Sequence, residues 1–99
     1  MREEAQDRFG NTIYLTDERW EHIVENHPEM EGLRDKVLST VRAGARAQDP
    51  LKLDTFYYNK KFANLHEDFD EIEVVVIFGW QLNAPNNFIV TAYPAYIGE

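Results

Sequence analysis

Histidines, tyrosines and a lysine cluster are the side chains of this 99-residue sequence whose types and spacing suit proton transfer and phosphate binding. His22 and His27 lie five apart, so on a continuous helix they diverge by about 140° and cannot share a metal as an i, i+4 pair would. Glu29 follows His27-Pro28, outside the His-Glu-x-x-His order of zinc proteases, and there is no cysteine, so no metal site is expected. Either histidine can serve as a general acid or base near neutral pH. The plain alternatives are a core histidine for His27, which ends an apolar stripe, and a solvated helix face for His22, which lies off it near Glu18, Arg19 and Asn26. His66 sits beside an acidic turn and reads as structural or solvated.

Tyr57-Tyr58-Asn59-Lys60-Lys61-Phe62 sets cations beside aromatics near a strand end, a combination that can hold phosphates and stack bases. Packing tyrosines and turn lysines that confer solubility would look the same. Thr91 and Tyr93 are two apart on a strand and project from one face, where a hydroxyl and a phenol can bind a phosphate oxygen or form a satisfied pair. Ser39 is the only serine, in mid-helix, which removes serine-hydrolase chemistry, and no glycine-rich phosphate loop occurs. A domain this small has little room for a two-carboxylate glycosidase cleft. No cofactor is expected.

The elements that must position these residues follow from periodicity. Phe9–Ile13 reads as a tight turn between short strands, with the return strand running through Ile13 and Leu15. Thr16 offers an N-cap, and Asp17 and Glu18 suit a first helical turn. Trp20, Ile23, Val24 and His27 form one buried stripe, and Pro28 ends the helix. A second helix is expected from about Met30 to Ala43, with Leu33, Val37, Leu38 and Val41 inward and Gly44 as its stop. Strands are expected at Leu51–Asn59, at Lys61–His66 after a turn at Asn59-Lys60, at Ile72–Trp80 and at Phe88–Tyr93. The Val74–Ile77 centre suggests burial on both faces, and Asn83–Asn87 reads as a turn. The expected class is α+β: two N-terminal helices packed on one face of an antiparallel meander sheet of about four strands, in one domain, with residues 1–8 disordered. The apolar final strands are expected to leave an edge able to pair with a second copy as a homodimer.

Composition adds a constraint. The formal net charge is −8, against the habit of nucleic-acid binders. It is uneven: −6 over residues 1–31, +4 over 32–65 and −6 over 66–99. An apolar run as short as Val74–Phe78 cannot span a membrane, the first eight residues lack a secretory core, and the default location is the cytoplasm.

The order Leu15-Thr-x-x-Arg19-Trp20-x-His22-Ile23-x-x-x-His27-Pro28-Glu29, then Asp49-Pro50, Tyr57-Tyr58, Val74-Val-Val-Ile77 and Ile89-Val-Thr-Ala-Tyr93, resembles the phage- and mobile-element-associated nuclease-like domains of the barnase–EndoU–colicin–RelE superfamily. The likeness spans about Ile13 to Tyr93; its Arg-Trp-x-His-Ile…His-Pro-Glu block is fairly specific and its strands are generic. The resemblance implies metal-independent RNA cleavage. A base deprotonates a ribose 2′-OH, an acid protonates the leaving 5′-oxygen, and cations or donors stabilise the phosphate. Mapped by motif, it implies His22 as the acid/base residue, with His27 as a second such group or an orienting one. Lys61 and Arg19 stabilise phosphate, Thr91 and Tyr93 hold substrate, and Tyr58 and Lys60 bind it. RNA is the implied substrate, with an antitoxin or other protein partner. Two other readings carry weight: an acidic inhibitor or immunity-type protein covering a basic nuclease, and a catalytically inert module of a larger system.

Overall fold

The computed structural model describes residues 1–95. The chain opens on a hairpin of β1 (Arg2–Gln6) and β2 (Thr12–Thr16), so the N-terminal segment is ordered where disorder is predicted. In its turn the Asp7 carboxylate accepts from the backbone N–H groups of Phe9 and Asn11 at 2.9 and 2.8 Å. Helix α1 (Asp17–Asn26) follows at once, its N-terminus capped by the Thr16 hydroxyl, which accepts from Arg19 N–H at 3.0 Å. It ends at His27, because Pro28 disfavours helical geometry in the residue before it. The predicted second helix is shorter at its start: Pro28–Met30 is a 3₁₀ turn, Gly32 takes φ +81°, and α2 runs over Arg34–Ala43. Then come β3 (Ala45–Gln48), β4 (Thr55–Lys61), β5 (Glu71–Gln81) and β6 (Ala84–Ala95).

Among the described residues the strands make one six-stranded sheet in the order β1-β2-β6-β5-β4-β3. The α+β class agrees with expectation; a sheet of about four strands, all antiparallel, does not. Strands β2 and β6 are parallel, Ile13 facing Asn87 and Tyr14 facing Phe88, and the other neighbours are antiparallel. The edges are β1, which lies upstream of the short strand expected at the Phe9–Ile13 turn, and β3, which is unpredicted. Of β1 only Ala5 is buried, and of β3 none is fully buried, so neither shows an apolar alternation. The predicted apolar edge is absent, since β5 and β6 lie inside the sheet.

Three boundaries shift for local reasons. Residues Leu51 and Leu53 lie in an exposed loop, and β4 begins only at Thr55. No turn breaks Asn59-Lys60; β4 continues through them in register with β5, and Phe62 N–H closes the following loop on Asp70 O at 2.7 Å. The last hairpin turns at Leu82-Asn83, so the segment predicted to turn at 83–87 already pairs, Pro85 opposite Trp80.

The core gathers Ile23 of α1, Met30 of the 3₁₀ turn, and Val37, Leu38 and Val41 of α2 against Ile13, Leu15, Tyr58, Ile72, Val74, Val76, Ile89 and Ala92 of the sheet. Each fully buried aliphatic side chain contributes about 1.5–3 kcal/mol. On β5 burial alternates: Ile72, Val74 and Val76 are buried, while Glu73, Val75 and Ile77 are half-buried, so the predicted burial of both faces holds on one face only.

The sheet curls around α2, which packs on β1, β4 and β5. In a flat sheet β1 and β4 would be about 19 Å apart, four strand spacings. Here the Tyr58 phenol of β4 donates to Asp7, just beyond β1, at 2.5 Å, and Arg46 of β3 lies 3.8 Å from the same carboxylate. Asn11 Nδ2 adds a hydrogen bond at 3.1 Å. The Arg46 guanidinium carbon is 4.0 Å from the Phe9 ring centre and 4.7 Å from that of Phe56. Burial works to raise the Asp7 pKa, but the donors from Tyr58, Asn11 and Phe9 outweigh it and hold the carboxyl below its ordinary range. Burial first, then the bond to Asp7, pushes the Tyr58 phenol far up.

Gly44 closes the step from α2 into β3. A Cβ there would stand 2.4 Å from Thr40 O and 2.5 Å from Asn59 O, both backbone atoms. Gly44→Ala is therefore expected to destabilise the fold by about 2–3 kcal/mol, read as a lowered urea midpoint at unchanged slope.

Candidate active site on the second sheet face

The face of the sheet opposite the core collects the polar side chains. Cross-strand register makes one row of Asn59, Glu73 and Tyr93 and a neighbouring row of Tyr57, Val75 and Thr91. A β-bulge builds these rows. Val76 faces Ile89 but Val75 faces Thr91, so Val90 is an extra residue on β6. Strict alternation from the buried Ile89 would turn Thr91 and Tyr93 into the core; the bulge turns them outward and buries Ala92 instead.

Three side chains meet there. The Tyr93 phenol donates to Glu73 Oε2. The His27 ring, delivered by the C-terminal end of α1, has its centre 5.8 Å from that of Tyr93, with 46° between the planes. All three are half-buried. Burial, then the bond to Glu73, raises the Tyr93 phenol well above its ordinary pKa, so it stays a hydrogen-bond donor at all physiological pH. Beside this group the Tyr57 phenol donates to Asp49 at 2.5 Å, and Asp49 also accepts from the N–H groups of Leu51 and Lys52 at 2.8 and 2.9 Å. The phenol of Tyr57 and those two amides hold the Asp49 carboxyl below its usual range, and the same bond to Asp49 raises the phenol.

Of the residues singled out by sequence, His27, Thr91 and Tyr93 share this face. Lys61 stands at its end, exposed and opposite Glu71. Arg19 lies beside it, lining a cavity of about 130 Å³ with Tyr14, Thr16, Phe88 and Ile89. His22 is exposed on α1, outside the stripe that packs inward. Two predicted substrate binders point elsewhere. Tyr58 is fully buried with its phenol on Asp7, and Lys60, in register with the buried Ile72, sits over the Phe62 ring at 4.3 Å on the helix side. His66 stacks on Phe69 with ring centres 4.5 Å apart, a loop contact.

Glu73 is not singled out by the sequence; Tyr57 enters only within the aromatic–lysine cluster and Asp49 only within the motif, and neither carries a role there. Glu73 had a signal, a carboxylate interrupting the apolar run Ile72–Phe78, and Tyr57 was separable from Tyr58 by strand parity. Among the described residues no three His, Asp or Glu side chains group as a metal ion would require, and no helix is long and apolar enough to cross a membrane. What the face offers is proton-transfer chemistry: a carboxylate acceptor, an imidazole able to donate or accept, and a phenol held as a donor to the carboxylate with its ring against the imidazole. No family model, curated protein or solved structure matches this chain.

Proposed function

We propose that the chain is a metal-independent endoribonuclease-like domain that cleaves RNA by attack of the ribose 2′-OH on the adjacent phosphate. One observation carries this: Tyr93 contacts both the Glu73 carboxylate, through its phenol O–H, and the His27 ring, on a sheet face that also presents Thr91. Glu73 takes the 2′-OH proton as the oxygen attacks phosphorus. The P–O5′ bond breaks, and His27 in its protonated form gives its proton to the leaving 5′-oxygen. The products are a 2′,3′-cyclic phosphate and a 5′-OH end. Thr91 donates to a non-bridging oxygen, while Tyr93, whose single O–H is given to Glu73, holds that carboxylate in place. Lys61 and Arg19 draw the phosphate toward a face whose carboxylates are Glu71, Glu73 and Asp49. His27 thus takes the role that the motif alone gave to His22.

The test is cleavage of a mixed-sequence RNA in EDTA, with analysis of product ends. Cyclic phosphate ends are expected, and His22→Ala is expected to cleave within about twofold of wild type, because an exposed helix side chain contributes little to structure or site. Loss of cleavage in a folded His22→Ala protein would return the acid/base role to that residue.

A second reading, an acidic immunity-type protein seated on a basic nuclease, is favoured by Glu71 and Glu73 facing out in mid-sheet and by the charge of −8. Folded wild type that cleaves no RNA but binds a basic nuclease would establish it.

A further inference from the structure

All three short hairpin connections, residues 7–11, 49–54 and 82–83, emerge at one end of the sheet, because β2, β4 and β6 all start there. That end carries Phe9, Leu51, Leu53, Trp80 and Leu82, which with Met1 at the far end are the exposed large apolar side chains among the described residues. Trp80 is 76% and Leu82 94% accessible. Singly exposed apolar residues need no explanation, but five on one end do.

Leu82 adds a second, independent observation. It and Asn83 form a two-residue hairpin loop with φ of +52° and +64°. Such a loop, with positive φ at both positions, favours Asn, Asp or Gly at the first, where a leucine Cβ crowds the backbone. A side chain poorly suited to its backbone and almost fully exposed gains nothing from its own fold, and such mismatches point to contacts made with something else. Next to it lies a notch of about 170 Å³ lined by Asn11, Phe78, Gly79, Trp80, Pro85 and Asn87. The patch thus holds both a knob and a hole, as a self-complementary two-fold contact requires.

Charge selects the occupant. Residues 7–11, 46–54 and 78–85 carry Arg8, Arg46 and Lys52 against Asp7, Asp49 and Asp54, so this end is neutral and the whole −8 lies elsewhere. Two copies approaching by other surfaces repel one another, whereas by this end they do not. We infer that the hairpin-loop end of the sheet is a homodimer interface, in which Leu82 of each copy enters the notch beside Trp80 of the other. It is a modest patch, so the dimer is weak and concentration-dependent.

Sedimentation velocity of the full chain over about 5–500 µM tests this. A monomer–dimer equilibrium is expected, tightened by added salt, which screens the acidic bodies while leaving apolar contact intact. Trp80 emission should shift to the blue as the dimer forms, a shift lost in Trp80→Ser. Leu82→Asn should raise the dimer Kd at least about tenfold while leaving the monomer's Tm unchanged or higher, since Asn suits the turn. A chain that stays monomeric throughout overturns the interface, as does a dimer indifferent to Leu82→Asn. A blue shift that requires phosphatidylcholine vesicles and not protein concentration would overturn it in favour of a lipid surface.

Discussion

Glu73→Gln is expected to lower single-turnover RNA cleavage by at least about 10²-fold with the fold unchanged. The amide matches the carboxylate in shape, and its oxygen still accepts from the Tyr93 phenol, so the row Asn59-Glu73-Tyr93 keeps its packing. It cannot take the 2′-OH proton. Glu73 is half-buried on the face away from the core, so little stability depends on its charge. His27→Ala should lose activity by a comparable factor but is a poorer probe, because its ring packs on Tyr93 and removing it frees that phenol to move as well. The check is a pair of measurements on each variant, the cleavage rate in EDTA and Tm. A Glu73→Gln protein that cleaves within twofold of wild type would remove the carboxylate from the mechanism.

Asp7→Ala is expected to cost about 3–5 kcal/mol, a large share of the ~5–15 kcal/mol that holds a domain folded. Asp7 gathers Phe9 N–H, Asn11 N–H, Asn11 Nδ2, the Tyr58 phenol and Arg46, and all of these lose their acceptor at once. It also joins the first strand to the fifth and sixth in sheet order, so the curl around α2 slackens with it. The pH dependence has a definite sign. The folded-state pKa of Asp7 is lowered, so its stabilisation is fully present above the unfolded value near 3.9 and is lost as pH falls through the lower folded value. Urea midpoints of wild type and Asp7→Ala should therefore differ most at pH 5–7 and converge below about pH 4. A gap that persists unchanged at the lowest pH would mean that Asp7 acts by shape and not by charge.

Much of this was legible in the sequence, and the gaps have physical causes. The α1 boundaries were visible because Thr16 and Pro28 are local signals that no tertiary contact overrides. Thr91 and Tyr93 were correctly placed on one face by parity. That the face is the one bearing Glu73 depends on the bulge at Val90, a one-residue change of register that alternation cannot reveal. Strand β3 and the true extent of β1 escaped because an edge strand needs few inward residues, and Arg46 and Asp7 escaped because charged residues in short polar segments read as surface. Their burial is set by the curl of the sheet, which brings together side chains about 40 and 50 positions apart. His22 and His27 were equivalent as chemistry; only the helix phase and the position of β6 separate them.

The central claim, attack by a 2′-OH without a metal, is tested most directly with two short RNAs of one sequence, in EDTA, one carrying a single 2′-deoxy nucleotide 5′ to a bond that wild type cuts. The account predicts cleavage of the all-ribose strand to a 2′,3′-cyclic phosphate and no cleavage at the deoxy position, with neighbouring bonds still cut. Equal cleavage at the deoxy position, or no cleavage of either strand by folded protein, would contradict it.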